Sequence, residues 1–457
     1  MTEVLVRSEA ETYHVGSQRL APPGARVVHS HWAQRIMTFL MVMGPGLIVM
    51  VADNDAGAVS TYTEAGARFG CHLLWLLLLL LPCTYFVQEM VVRLGIATGQ
   101  GHAAMIYKRF GKWWGVFSLF DLLLVNFLTL VTEFAAIALA MNMMGISEYL
   151  AVPMVAAGLI LLVSTASFRR WEKVAIFLCI FDMAWFILGW KYAPGARTVI
   201  KSTLVPSIPH SGITSNLMFL VIAIVGTTIA PWQLFFQQSC VADKKLRFAD
   251  LKWARLDTFI GACVVIIVAG CMMLAGNWAT AHVPGFYQTF INTGAKDTFD
   301  PARMFVWMGK VVGPFTKNIM FLLMCNAAIL GATTISLSSA WAYGEVKGWP
   351  SSLELPVSKA KSFYGFYALC VAMAAGIVLI PRAPLQLIIL SVQVLAGIML
   401  PSAIIFLQLL LNDSELLTEK YVNKTWNNVV NWTIIIVLFA LSLILAAQVV
   451  APNLFPS

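Results

Sequence analysis

Eleven apolar stretches, each close to or beyond the roughly 20 residues that cross a hydrocarbon core, decide most of what this chain can become. They fall at about 40–67, 72–97, 114–143, 150–166, 173–190, 215–240, 255–276, 312–342, 363–380, 384–411 and 428–450. Within lipid every backbone N–H and C=O needs an internal partner, which leaves only helices and closed barrels. Stretches of this length are read as helices. With 59% hydrophobic and 11% charged residues, the expected fold class is an all-α polytopic membrane protein with eleven transmembrane helices.

The net charge of +8 then needs no nucleic acid to explain it, because basic residues on such a chain encode orientation. With the N-terminus placed inside, 21 of the 30 Lys and Arg fall on inward segments. Clusters such as Lys244, Lys245, Arg247, Lys252 and Arg255 dominate that side, and Lys420 and Lys424 join them. The N-terminus is expected in the cytoplasm and the C-terminus outside. The first 35 or so residues are polar and lack the apolar core of a cleaved signal peptide, so they are read as a cytoplasmic tail. None of the eight cysteines forms a Cys-x-x-Cys pair, so neither a disulfide framework nor a zinc site is indicated.

Two interruptions stand out. In Met50-Val51-Ala52-Asp53-Asn54-Asp55-Ala56-Gly57-Ala58 a carboxylate sits where the chain is crossing the bilayer. An ionised group there costs a few kcal/mol by insertion scales and belongs against a cavity or a partner. The second interruption is Gly226-Thr227-Thr228-Ile229-Ala230-Pro231-Trp232 in the sixth stretch. Spans one to five and six to ten have opposite orientation because five is odd, and the first helix of each half is broken. That is the layout of an inverted-repeat secondary transporter. The expected organisation is a tail (1–38), a first repeat (39–190), an external connection (191–214), a second repeat (215–411), and an eleventh helix with the C-terminus (412–457).

At both breaks the chain resembles the NRAMP family of divalent metal transporters. The family's Asp-Pro-Gly-Asn and following Gln-Ala-Gly-Ala look like Asp55-Ala56-Gly57-Ala58 and Glu64-Ala65-Gly66-Ala67. Its sixth-helix Met-Pro-His looks like Ala230-Pro231-Trp232, and its tenth-helix Gln ahead of Leu-Pro like Gln393 with Leu400-Pro401. The resemblance implies a LeuT-like fold: an inverted 5+5 repeat plus one extra helix, with helices 1 and 6 broken. In the family the Asp, Asn and Met bind manganese or iron, and the His serves a proton pathway. Here the Asp persists as Asp55, while Ala58, Ala230 and Trp232 replace the other three. On the third helix the family's Asp and Glu appear as Glu133 and Ala136. This pattern looks like the NRAMP-related magnesium transporters, a prokaryotic branch, and that resemblance implies the plasma (inner) membrane of a prokaryote.

The replacements have a chemical reading. Loss of a thioether at Ala230 removes the usual preference for softer metals. Two alanines widen the pocket, and Mg²⁺ keeps several waters while one or two carboxylates hold it. The expected metal site is Asp55 as principal charge, with backbone carbonyls near Ala52 and Thr227 and with Thr228, Gln393 and Glu133 around the ion's waters. Gly57, Ala58, Ala230, Pro231 and Trp232 shape it. For Thr228, Gln393 and Glu133 plain interhelical hydrogen bonding is the competing reading, and Asp53 either lines the entrance or caps the broken half-helix.

Trp232 cannot titrate and Ala136 removes a carboxylate, so the expected function is carriage of largely hydrated Mg²⁺, with Mn²⁺ as competitor, by alternating access and without proton coupling. The alternatives are a proton-coupled Mn²⁺/Fe²⁺ transporter and a sodium-coupled amino-acid transporter on the same fold. No His-Glu-x-x-His helix, Gly-x-Ser-x-Gly elbow or phosphate loop supports an enzyme. No cofactor, nucleic acid or obligate protein partner is implied; the partners expected are the metal ion and the bilayer.

Overall fold

The computed structural model describes residues 31–209, 212–291, 299–380 and 385–450. Most of the expected N-terminal tail, with Arg7, Arg19 and Arg26, lies outside the described residues, as do Lys296 and Arg382. Among the described residues the regular structure is entirely helical.

The chain opens with α1 (His31–Val42), then the broken first span, α2 (Pro45–Ala52) and α3 (Ala56–Phe69). Next come α4 (Leu74–Thr98), the short α5 (His102–Phe110), α6 (Lys112–Met143) and α7 (Glu148–Ser164). The fifth span is α8 (Phe168–Asp182) with α9 (Ala184–Tyr192), and α10 (Ala196–Leu204) lies in the connection. The second broken span is α11 (Ser215–Thr228) with α12 (Pro231–Asp243), followed by α13 (Leu251–His282). Then come α14 (Pro301–Val312), α15 (Pro314–Lys347), α16 (Lys361–Val378), α17 (Leu385–Leu410) and α18 (Thr425–Val450).

By length and composition, nine spans among the described residues are apolar enough to cross a membrane. The broken first span and the 17-residue α7 account for the other two expected stretches. Between the spans, α13 continues to His282 and α14 begins at Pro301.

Each break has a local cause. Gly44 adopts φ 145°, a conformation open to glycine, and Pro45 follows at the first helical position where its missing N–H costs nothing. The freed amides of α2 are met from another helix: Asp257 on α13 accepts from the N–H of Gly46 at 2.7 Å and from those of Gly44 and Leu47 at 3.2 Å. α2 ends at Ala52, and Asp55 in extended conformation caps α3 by accepting from Ala58 N–H at 2.9 Å. The carboxylate cap at this break therefore belongs to Asp55 rather than to Asp53.

At the second break Pro231 starts α12 after the extended Ala230. Alanine has no side chain with which to cap, so Gln233 Oε1 accepts from the Ala230 N–H at 3.1 Å.

Small residues set the approach of the helices. A Cβ on Gly66 would lie 1.9 Å from the Met273 carbonyl oxygen, and one on Gly276 would lie 2.0 Å from that of Thr63. Thus α3 and α13 pack backbone to backbone, as small residues allow between membrane helices. The broken spans sit in the middle: α3 packs on α6, α11, α13, α15 and α17. The eight cysteines are free thiols.

Candidate metal site at the paired breaks

Asp55 and Glu133 meet at the first break. Glu133, on α6, accepts from the Ala56 N–H at 3.1 Å through Oε2, so both carboxylates receive amides from the first turn of α3. Gly331 on α15 fits between them: a Cβ there would lie 3.1 Å from the Glu133 carboxylate and 3.2 Å from Asp55 Cβ. The N-terminus of α3 thus holds two acidic side chains, and the positive end of the helix dipole favours their charge.

Gln393 on α17 presses on Gly57 so closely that a Cβ there would fall 1.5 Å from its Nε2. Its carbonyl lies 2.4 Å from the Cβ position of Gly226 on α11. One glutamine residue therefore touches both broken helices. Thr228 joins through Tyr62: the two hydroxyls are 2.7 Å apart. Thr228 donates to the Ile224 carbonyl at 2.5 Å, so the Tyr62 hydroxyl is the donor to Thr228.

Asp53, one residue past α2, is fully enclosed beside Asp55, Tyr62 and the Gln233 side chain. Gln233 also accepts from Gln88 Nε2 at 3.2 Å, which ties α12 to α4. Asn54 donates to the Val265 carbonyl at 3.5 Å.

Ala52 and Thr227 lie in the last turns of α2 and α11, where the helical ladder supplies no partner for the carbonyls. Ala58 and Ala230 are buried and offer no ligand atom. Trp232 is buried within an aromatic group, edge-on to Phe236 at 6.1 Å, with its carbonyl accepting from Ser338 at 3.0 Å. Its indole shapes the wall and supplies an N–H, not a titrating group.

The polar atoms without a protein partner identify the chemistry. At the two breaks these include both Asp53 oxygens, Asn54 Oδ1, Glu133 Oε1 and the Thr227 hydroxyl, with Gln393 Nε2, Gln233 Nε2 and Trp232 Nε1 as donors. Buried polar groups ordinarily have partners, so this concentration makes the breaks the candidate place for a polar guest. The acceptors are all oxygens, which suit hard cations and their water shells. Among the described residues no three His, Cys, Asp or Glu side chains converge closely enough to chelate one ion.

The other membrane carboxylates are neutralised or bonded elsewhere. Glu64 pairs with Arg68 at 2.6 Å, and Glu89 pairs with Arg93 at 3.1 Å. Asp121 accepts from Ser402 at 2.6 Å, and Asp182 from Asn326 at 2.7 Å. Thr334 bonds back to its own helix, whereas Thr333 accepts from Trp171 at 3.1 Å. Tyr62, Gln88, Gln233 and Gly331 belong to the site's surroundings and were not singled out from the sequence. Gln88 and Gln233 carried a usable signal, since uncharged polar side chains within apolar spans pair across helices.

The family model for natural resistance-associated macrophage protein-like chains matches residues 46–448. The chain belongs to this family. It is 25% identical over 444 residues to the divalent metal cation transporter MntH of Staphylococcus aureus (strain bovine RF122 / ET3-1), covering 92% of this chain and 93% of that one. The crystal structure of the Eremococcus coleocola manganese transporter, in complex with an aromatic bis-isothiourea substituted compound, has a similar fold. Its TM-score is 0.69 at 19% identity, covering 95% of this chain and 91% of that one. MhsT in complex with L-phenylalanine gives a TM-score of 0.58 at 15% identity, covering 92% and 100%. The fold is LeuT-like, with the first and sixth spans broken.

Proposed function

We propose that this chain carries divalent cations across a membrane by alternating access, with Mg²⁺ as its main cargo and Mn²⁺ as a competitor. The curated relative, a divalent metal cation transporter, supports the divalent part. The choice of Mg²⁺ rests on one observation: the breaks offer oxygens from Asp53, Asn54, Asp55, Glu133 and Thr227 while Ala58 and Ala230 offer none. Where no three such side chains converge among the described residues, waters complete the ion's shell, and Mg²⁺ is the ion that keeps them. The basic-rich face supports a cytoplasmic N-terminus, and the ion then enters from the opposite side.

Movement down the electrochemical gradient is sufficient for uptake. A dication crossing 100 mV gains about 4.6 kcal/mol, which supports an inward gradient of roughly 10³. Trp232 stands where a titrating side chain would be needed, so no proton accompanies the metal.

A second reading, proton-coupled Mn²⁺/Fe²⁺ transport, draws directly on the solved manganese transporter and on the curated relative. Asp53 and Glu133 also place titratable groups at the break. Proteoliposomes holding an internal pH dye separate the two. The first reading expects Mg²⁺ entry without acidification; acidification in step with metal entry, with Mn²⁺ strongly preferred, establishes the second. Uptake of an amino acid in place of either metal would overturn both.

A further inference from the structure

We propose that the start of α13 holds an anionic phospholipid of the leaflet on the basic-rich face. A cavity of about 570 Å³ lies where the first turns of α13, the short turn Phe248–Asp250 and the segment before α18 meet α4. Lys252, Arg255 and Lys420 line it, and no carboxylate does among the described residues. Behind it, Arg255 donates to Glu89 Oε1 at 2.9 Å from Nε and 2.7 Å from Nη2. The other Glu89 oxygen accepts from Arg93. One carboxylate faces two guanidiniums, and Lys252 adds a further positive charge, so these four groups are net positive.

The walls are fixed. Arg93 donates to the Tyr421 carbonyl and to Asn423 Oδ1, both at 2.7 Å, and Tyr421 stacks on Phe248 at 4.1 Å. Lys420 lies over the Tyr421 ring at 5.3 Å.

Charge and grease are ordered along one helix face. Lys252, Arg255 or Leu256, and Phe259 follow at helical spacing on α13. Leu256 and Phe259 are 40% and 44% exposed, and Tyr85 meets Phe259 edge-on at 5.6 Å. A phospholipid presents the same sequence of groups: phosphate at the cations, acyl chain along the apolar residues one turn deeper. A free phosphate would use the cations and leave that apolar surface unmatched. Basic pockets between membrane helices are the usual seats of anionic headgroups.

The test uses the full chain purified in neutral detergent, with lipid retention read by native mass spectrometry. Phosphatidylglycerol should be retained at least tenfold over phosphatidylcholine. Lys252→Gln with Lys420→Gln should lower that retention at least tenfold, since a cation near an anionic surface is worth about fivefold each. Lys252 is exposed, so Lys252→Gln alone should leave the lipid-free unfolding midpoint in place while retention falls. Lys359→Gln with Lys361→Gln, exposed cations elsewhere on the basic-rich face, should leave retention intact. Equal retention of the two lipids, an unaffected double variant, or equal loss in the control pair overturns the proposal. So does displacement of phosphatidylglycerol by an equal concentration of glycerol phosphate, which would mark a site for free anions.

Discussion

Replacing Asp55 by Asn separates two jobs that the native residue does at once. Oδ1 caps α3 through the Ala58 N–H at 2.9 Å, and the charge is the proposed hold on the cation. Asn caps about as well as Asp, whereas Ala loses the cap at a cost of about 1 kcal/mol. Over a chain of 457 residues that amount moves an unfolding midpoint by on the order of 1 °C. Asn also relieves repulsion among Asp53, Asp55 and Glu133, so it should melt no lower than the wild type. The loss of charge is the larger effect: a charge-assisted bond from an ion-bound water is worth about 1.5–3 kcal/mol. One such bond converts to roughly a 10- to 100-fold change in affinity. The expected outcome is that Asp55→Asn and Asp55→Ala are both recovered folded and both lose at least tenfold in Mg²⁺ uptake by proteoliposomes. An Asn variant that transports like the wild type refutes the assignment of Asp55. Loss in the Ala variant alone would make the residue a helix cap and nothing more.

Ala58→Asn with Ala230→Met restores a softer, tighter ligand set and should shift calorimetric preference toward Mn²⁺ or Cd²⁺ by about tenfold or more; an unchanged ratio counts against the ligand argument. Asp257→Ala frees three amides at the start of α2, so hydrogen exchange over Leu47–Ala52 should quicken at least tenfold, each charged bond contributing about 1.5–3 kcal/mol; wild-type protection there would show that the contact holds nothing. His102, outside the membrane spans, is held down to about 4 by burial, its Nδ1 2.9 Å from Gln238 Oε1. The unfolded chain therefore binds the proton first, and stability falls from about pH 6.5 down to about pH 4, by about 3 kcal/mol in all. His102→Gln should flatten that acid sensitivity in unfolding midpoints measured across the window, and an unchanged slope would assign it to other groups. Gly66→Ala drives a methyl into the Met273 carbonyl and should cost about 1–3 kcal/mol or more; an unmoved unfolding midpoint would contradict the close crossing of α3 and α13.

The apolar spans and both breaks were legible because their causes are local. Apolar length marks a crossing, Asp53-Asn54-Asp55 interrupts the first span, and Ala230-Pro231 interrupts the sixth. Asp55 was legible because a carboxylate in an apolar run demands an explanation. The partners were not legible. Glu133 reaches Ala56 across 77 positions, and Asp257 reaches Gly46 across 211. Such contacts depend on helix rotation and depth, which close passages such as Gly66 on Met273 and Gly226 on Gln393 determine. Hydropathy does not register a missing Cβ. For the same reason nothing in the sequence marks Tyr62, whose hydroxyl bonds to that of Thr228.

The two breaks are unequal, and the inequality bears on how a carried ion is released. Acidic residues crowd the first (Asp53, Asp55 and Glu133 from α6), while the second contributes Thr227, Thr228, Ala230 and Trp232, none of them charged. Two of the three carboxylates, Asp55 and Glu133, meet at the first turn of α3, with Gly331 of α15 against both. The bonds that hold α2 form a different set. Asp257 binds its first amides, and Lys244 donates to the carbonyls of Val42 and Met43 at 3.0 and 2.8 Å while pairing with Glu172 at 2.5 Å. The two sets share no residue, although Asp53 ends α2 and Asn54 ties the break to the Val265 carbonyl of α13. On the proposed alternating-access reading, a parting of α2 from α13 would leave the Asp55–Glu133 pair in place. An ion held through its waters would then leave by exchanging them for bulk water on the opened side, with no need for those two carboxylates to move.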